Sequence, residues 1–169
     1  ALRSVTVGVG NVGIGRYAGS NLGAHNYSTV VGTSAGQDAA TAYSVLIGYT
    51  AGYSITTADY VVAIGSHSLV NSTTGTGNTA VGFKSLKSTT IGDYNTALGW
   101  QALHNNVHGD NNVAVGYNAL YAAAPADGAG DNTAVGKSAM YASTTAIRSV
   151  AVGFGAGSNN LTGSYSNYI

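Results

Sequence analysis

A short apolar segment that ends in glycine recurs along nearly the whole chain. This repeat glycine stands at residues 15, 32, 48, 65, 82, 99, 116, 136 and 153, and six of the eight spacings are 17 residues. The best copies read NTAVGFKSL (78–86), NTALGWQAL (95–103), NVAVGYNAL (112–120) and NTAVGKSAM (132–140). A period of this size is typical of stacked repeats, so the pattern predicts a solenoid.

Positions within each copy are numbered from the repeat glycine, negative before it and positive after it. Position −1 is always Val, Ile or Leu, position −3 is always Val or Thr, and position −2 is mostly Ala. Residues two apart share one face of a strand, and β-branched residues suit strands, so a short strand is predicted in every copy. This strand is apolar on both faces, and a thin coil can cover only one of them. We therefore expect another chain to cover the Ala face; the alternative is that the Ala side chains face water.

The other positions of the repeat also have physical meaning. Position −4 is Asn or Ser in eight of nine copies, which predicts ladders of side-chain hydrogen bonds between stacked coils. Position +3 is always Ala or Ser, and the residues after the glycine suggest a second short strand or extended segment followed by a polar turn. The glycine itself marks a corner. No sustained helical period is present, so helix content should be minimal.

These features predict an all-β fold, a parallel β-solenoid of about 17-residue coils. Residues 1–169 form one repeat domain of about nine coils. One 20-residue spacing comes from an insertion around residues 122–130, and the sequence stops inside a tenth copy at residues 166–169. We therefore expect the chain to be part of a longer fibre.

The composition excludes several classes of protein. Only 7% of residues are charged, and six Lys or Arg balance six Asp, so the net charge is zero. A neutral chain with few, scattered basic residues lacks the basic patch that binds nucleic acid. No apolar run is long enough to span a membrane, so no membrane insertion is expected. The absence of Cys excludes disulfides and thiolate metal sites.

The recurring NTAVGxxAL motif resembles two related kinds of repeat. It is similar to the head repeats of trimeric autotransporter adhesins (the YadA-like head), and more similar to the longer repeats of bacteriophage tail fibres. Residues 114–121, AVGYNALY, carry the tail-fibre form intact. The resemblance covers residues 11–157 and implies a left-handed parallel β-roll assembled as a homotrimer. This chain departs from the adhesin head in its longer period and its Tyr-rich turns.

Aromatic columns are the strongest candidates for a binding site. Position +1 is aromatic in three consecutive coils, and position −5 is Tyr in three others, so rings about 4.8 Å apart should form continuous strips. Exposed rings with amides nearby suit the apolar faces and hydroxyls of sugars; the alternative is that the rings only pack coils or subunits together. The insertion is a second candidate because insertions in repeats map to exposed loops. The residues assigned to receptor binding are Phe83, Trp100, Tyr117, Tyr121 and Asp127.

Other chemistry is weakly indicated, and we expect no enzyme activity, no cofactor and no metal. The GxGxxG match at residues 8–13 lacks a following helix, so the repeat glycines explain it. His104 and His108 lie in a turn rather than on a helix, which does not fit a zinc pattern. Asp93, Asp110 and Asp127 fall in turns of successive coils; a depolymerase would need a pair of such carboxylates, but Asp is also common in turns.

The sequence thus predicts a structural and receptor-binding segment of a trimeric viral (phage) tail fibre. Its partners would be two further copies of itself and a host cell-surface receptor, for which the aromatic columns favour a carbohydrate. Its location would be the virion tail fibre. The alternative is the head domain of a bacterial trimeric autotransporter adhesin on the bacterial cell surface. An ice-binding solenoid is a minor alternative. Thr recurs at position −3, as an ice-binding array would require, but no Thr-x-Thr motif is repeated on successive coils.

Overall fold

All strands in the described part of the chain belong to one parallel sheet. The computed structural model describes residues 2, 8–122, 130–159 and 162–169. Each strand pairs with the strands of the preceding and following coils, so the sheet order is the chain order. The strands are β1 (Val12–Ile14), β2 (Thr29–Val31), β3 (Val45–Ile47), β4 (Val62–Ile64), β5 (Thr79–Val81), β6 (Thr96–Leu98), β7 (Val113–Val115), β8 (Thr133–Val135), β9 (Val150–Val152) and β10 (Asn167–Tyr168). The predicted parallel β-solenoid is confirmed, and the described residues contain no helix.

The strands stack in register, so each repeat position forms a column along the solenoid. Thr79 pairs with Thr96, and Val81 pairs with Leu98. The 20-residue spacing does not disturb this register, because Val113 still pairs with Thr133. The described strands therefore keep one register on both sides of the longer spacing.

The Ala column points into the solenoid, which corrects one expectation. Ala80, Ala97 and Ala114 are completely buried within a single chain, together with Leu at position +4 of the same coils. The prediction that a second chain covers the Ala face is wrong, because the Ala side chains leave room for these Leu side chains inside the coil. The side chains at positions −1 and −3 point outward instead.

In most coils, a larger core side chain at position −2 or +4 accompanies a smaller one at the other position. Coils with Leu or Met at +4 carry Ala at −2, whereas two of the four coils with Gly at +4 carry Val30 or Leu46 at −2. A Cβ built on Gly52 would lie 2.6 Å from Leu46 Cδ2 and 2.9 Å from Ile55 Cδ1, so these larger side chains occupy the space. Such compensation is expected because protein interiors are close-packed.

The residues after the repeat glycine form turns, so the predicted second strand is wrong. Positions +2 and +4 adopt positive φ, as at Gln101 (φ 54°) and Leu103 (φ 51°). Their backbone still bonds to the neighbouring coils: Gln101 N–H donates to Phe83 O at 2.9 Å, and Leu103 N–H donates to Ala119 O at 3.0 Å. Left-handed residues at alternate positions curl the chain, while the coil-to-coil hydrogen bonds satisfy its polar backbone.

The repeat glycine occupies a corner where neighbouring backbones come close. Gly99 has φ 141°, and a Cβ there would lie 2.5 Å from the carbonyl oxygen of Gly116 in the next coil. Both the conformation and the contact exclude a side chain. The predicted corner is confirmed.

The predicted ladder at position −4 is also confirmed. Asn95 Nδ2 donates to Asn78 Oδ1 at 3.2 Å, and Asn112 Nδ2 donates to Asn95 Oδ1 at 3.1 Å. Asn95 Nδ2 also donates to Gly109 O at 2.8 Å, and Asn95 Oδ1 accepts the backbone N–H of Asn112 at 2.9 Å. These amides are buried, and each one fastens three segments of backbone together.

Candidate binding surfaces

The outer side of the sheet is a continuous surface of Val, Ile, Leu and Thr, which we call the sheet face. It consists of positions −3 and −1 of β1 to β9. Its side chains are partly to largely exposed, with Ile14 at 60% and Leu98 at 48%. A large, continuous exposed apolar patch on a folded protein usually marks an interaction surface.

Two of the three predicted aromatic residues at position +1 contact each other. The ring centroids of Phe83 and Trp100 are 4.2 Å apart, at an interplanar angle of 35°. Upstream, His67 continues the strip through edge contacts with Tyr49 at 5.3 Å and with Phe83 at 6.1 Å. His67 belongs to position +2, so the sequence columns alone did not include it.

Tyr117 belongs to a second group further along the same edge. In the part of the chain that the structure describes, no ring contact joins it to Trp100. Instead, the Lys137 ammonium lies 5.8 Å from the Tyr117 ring centroid and 5.5 Å from that of Phe154. A cation thus takes the place of a ring between two aromatic side chains.

The tyrosines at position −5 form a stacked ladder. The ring centroids of Tyr27 and Tyr43 are 5.5 Å apart, and those of Tyr43 and Tyr60 are 5.2 Å apart, with nearly parallel planes in the second pair. About half or more of each of these side chains is exposed. Because each ring covers the face of its neighbour, this ladder mainly presents ring edges and hydroxyl groups to solvent.

Tyr121 belongs to a third ladder, at position +5, which the sequence analysis missed. Its ring stacks on His104 at 5.1 Å and on Tyr141 at 5.2 Å. Alignment on the repeat glycine places all three residues in one column, and this signal was available in the sequence. Asp127, the remaining predicted site residue, lies outside the described residues.

The carboxylates near the strands bind backbone, not each other. Asp59 Oδ1 accepts Ala42 N–H, and Asp93 Oδ1 accepts Thr76 N–H, each at 2.7 Å. Asp110 Oδ1 accepts the backbone N–H of Asp93, also at 2.7 Å. These side chains at position −6 therefore connect successive coils.

Charged groups are segregated around the coil although the net charge is zero. Carboxylates occupy positions −6 and −5, before the strand; cations occupy positions +1, +2 and +5, after it. The acidic residues are Asp59, Asp93, Asp110 and Asp131, and the basic residues are Arg16, Lys84, Lys87 and Lys137. Asp38 and Arg148 are the exceptions among the described residues, and Arg148 pairs with Asp131 at 3.4 Å.

Two histidines near the lysines of the coil have lowered pKa values. Burial lowers the pKa of His67, and the nearby charges of Lys84 and Lys87 lower it further. Burial also lowers the pKa of His104, with smaller contributions from the same lysines against an opposing hydrogen bond to Asn105. Both effects disfavour the protonated imidazole.

No group of three or more metal-ligating side chains and no helix able to cross a membrane occurs among the residues that the structure describes. Comparisons of the chain with known protein families, with curated proteins and with solved structures find no match.

Proposed function

We propose that this chain is a structural and receptor-binding segment of a trimeric phage tail fibre, with the sheet face as its subunit contact. The observation that carries this proposal is the continuous apolar sheet face on an otherwise well-packed solenoid. Each strand of β2 to β9 adds two side chains to it, so the exposed apolar area grows with every coil. Burying such a surface is favourable at about 25 cal/mol per Å², which favours association of several copies.

The number of copies and the left-handed coil come from the resemblance to tail-fibre and adhesin-head repeats. A closed three-fold arrangement would let the sheet face of every copy contact the other copies around one axis. In this arrangement the Ala column stays inside each chain, and Val, Ile, Leu and Thr meet between chains.

A rod of stacked coils suits mechanical extension between a particle and a cell. The solenoid has coil-to-coil hydrogen bonds along its length, and buried asparagines reinforce them. Ten strands at about 4.8 Å spacing make a segment roughly 45 Å long. The exposed aromatic residues that follow the repeat glycine lie beside the sheet face and supply the proposed contact with a host-surface receptor, which we propose is a glycan.

The attachment role is tested by incubating fluorescently labelled protein with a panel of bacterial cells and, separately, with surfaces coated with collagen or fibronectin. Saturable retention on bacterial cells is expected for a phage fibre. Retention only on the matrix surfaces would favour the bacterial adhesin head instead. No retention on either would overturn the attachment role and leave only a spacer.

The ice-binding alternative uses the same sheet face, because position −3 carries Thr29, Thr79, Thr96 and Thr133 among valines. A thermal-hysteresis measurement separates the two. We expect none, since the Thr side chains do not recur on every coil and position −1 is entirely aliphatic.

A further inference from the structure

We propose that the edge after the repeat glycine in coils 4 to 6, numbered by their strands β4 to β6, binds a glycan that carries carboxylate groups. This inference rests on the proposed function and names the receptor chemistry. The surface, called here the basic aromatic strip, consists of His67, Phe83, Lys84, Trp100 and Gln101.

The strip combines an exposed Trp100 ring and the partly buried rings of Phe83 and His67 with a cation that is free to bind an anion. The Lys84 ammonium lies 4.9 Å from the Phe83 ring centroid and forms no ion pair within the described residues. The carboxylates of those residues nearly all lie before the strand, where Asp59, Asp93 and Asp110 accept backbone N–H groups. A carboxylate ligand would therefore meet an unpaired ammonium group without a competing acid.

The rings of the strip offer a better sugar platform than the Tyr27–Tyr43–Tyr60 ladder does. Trp100 is 48% exposed and tilted by 35° from Phe83, so its outer ring surface is not covered by a parallel neighbour. The C–H face of a pyranose can pack on such a surface. The Trp100 indole N–H donates to Gln101 Oε1 at 3.2 Å, which orients this amide beside the ring and leaves its NH₂ group available for a sugar hydroxyl.

The lysines are few, which favours a sugar acid over a polyphosphate. Lys84 and Lys87 are the only lysines in coils 4 to 6, and a nucleic-acid backbone is bound through rows of such cations. One carboxylate against one ammonium group, with a ring face next to it, matches a single acidic sugar unit. The coil rise of about 4.8 Å is close to the length of one pyranose residue, so neighbouring coils meet neighbouring sugars.

The test is binding of the intact protein to oligosaccharides of polygalacturonate, polysialate and hyaluronate, each compared with its carboxyl-reduced counterpart. We expect at least one acidic form to bind about tenfold or more tightly than its reduced form, which is the effect of one charge-assisted hydrogen bond. Lys84→Gln should remove that preference. Trp100→Ala should weaken binding of the acidic and the reduced sugar alike.

Matched controls come from the opposite edge of the solenoid, the one that precedes the strands. Tyr43→Ala removes an equally exposed ring from the stacked ladder, and Arg148→Gln removes an exposed cation that is already paired; both should leave sugar affinity unchanged. Inorganic polyphosphate should bind no better than the reduced sugars.

Several results would overturn the inference. These are no binding to any of the three acids, equal binding of acidic and reduced forms, or an acid preference that survives Lys84→Gln. A Trp100→Ala protein with a smaller mass in solution would place the strip in a subunit contact instead. If the protein is still retained on bacterial cells, any of these results overturns only the glycan inference and not the proposed function. If the protein is not retained on cells, the proposed attachment role itself is overturned.

Discussion

At the scale of single residues, the buried asparagines at position −4 show how a polar residue can hold a thin solenoid together. Asn95 donates to Asn78 and Gly109 and accepts from Asn112, so its side chain connects its own coil with the preceding and the following coil. A buried polar group that loses its partner costs about 1–3 kcal/mol. The stability of the solenoid should therefore depend on each rung of this ladder.

Asn95→Ala is expected to lower the free energy of unfolding by about 1–3 kcal/mol, because the backbone N–H and the side-chain NH₂ of Asn112 lose their buried acceptor. Urea unfolding measures the difference. Asn95→Ser is the matched control and should lose less, since Ser44 Oγ accepts the Val61 N–H of the next coil at 3.2 Å. Equal losses for the two variants would contradict the ladder's role.

The lowered pKa values of His67 and His104 predict a dependence of stability on pH. The unfolded chain binds a proton at each histidine near its ordinary pKa of about 6.5, and the folded chain binds it only at lower pH. Stability should therefore fall as pH drops from about 7 through the ordinary value, until the folded histidines also become protonated. Thermal melts between about pH 7.5 and 5.5 measure this fall, and the double variant His67→Gln/His104→Gln should reduce it.

At the scale of the coil, the core is set by the combined volume of positions −2, +4 and +7. Leu46, Gly52 and Ile55 fill coil 3, whereas the next coil fills the same space with different residues at the same positions. Those residues are Ala63, Leu69 and Ser72. The backbone does not prevent the exchange, because Leu adopts positive φ at position +4 elsewhere in the chain.

Gly52→Leu alone should destabilise the protein by about 1–3 kcal/mol, since the new side chain overpacks Leu46 and Ile55. Leu46→Ala alone should also destabilise it, by about 2–5 kcal/mol, because it leaves a cavity. The triple variant Leu46→Ala/Gly52→Leu/Ile55→Ser reproduces the core of coil 4 and should be more stable than either single variant. Urea unfolding of all three variants tests this, and a triple variant no better than the single ones would contradict volume exchange.

The period, the strands, the corner glycines and the Asn ladder were predictable because the repeat places the same residue types at a fixed spacing, and stacking brings equivalent positions together. Which face of each strand points into the solenoid was not predictable. Ala80 and Val81 are both apolar, and only the position of Leu86 inside the coil shows that Ala80 must point inward. The turns after the glycine were misread for a related reason: Lys84 and Leu86 adopt left-handed conformations that their side chains do not favour but that stacking imposes.

The candidate site was predictable only in part. The columns at +1 and −5 identified Phe83, Trp100 and Tyr27, but not that the tyrosines cover one another while Trp100 stays tilted and open. Nor did they show that His67, one position further on, completes the strip. Ring orientation depends on side-chain packing between coils, which a column of letters does not contain.

At the scale of the whole molecule, the central question is what covers the sheet face. A single chain buries its Ala column and exposes the β-branched one, which is the reverse of the arrangement first expected. This reversal places larger apolar side chains on the outside and so strengthens the argument for association. It also leaves both aromatic edges beside the sheet face rather than on it.

The most direct measurement is the mass of the protein in solution by light scattering at micromolar concentration, for the wild type and for Val81→Asp. We predict three times the chain mass of 16.8 kDa for the wild type. Val81→Asp, at the centre of the sheet face, should give a folded monomer, whereas Tyr43→Asp at the edge should remain a trimer. A wild-type protein that is folded and monomeric would contradict the account.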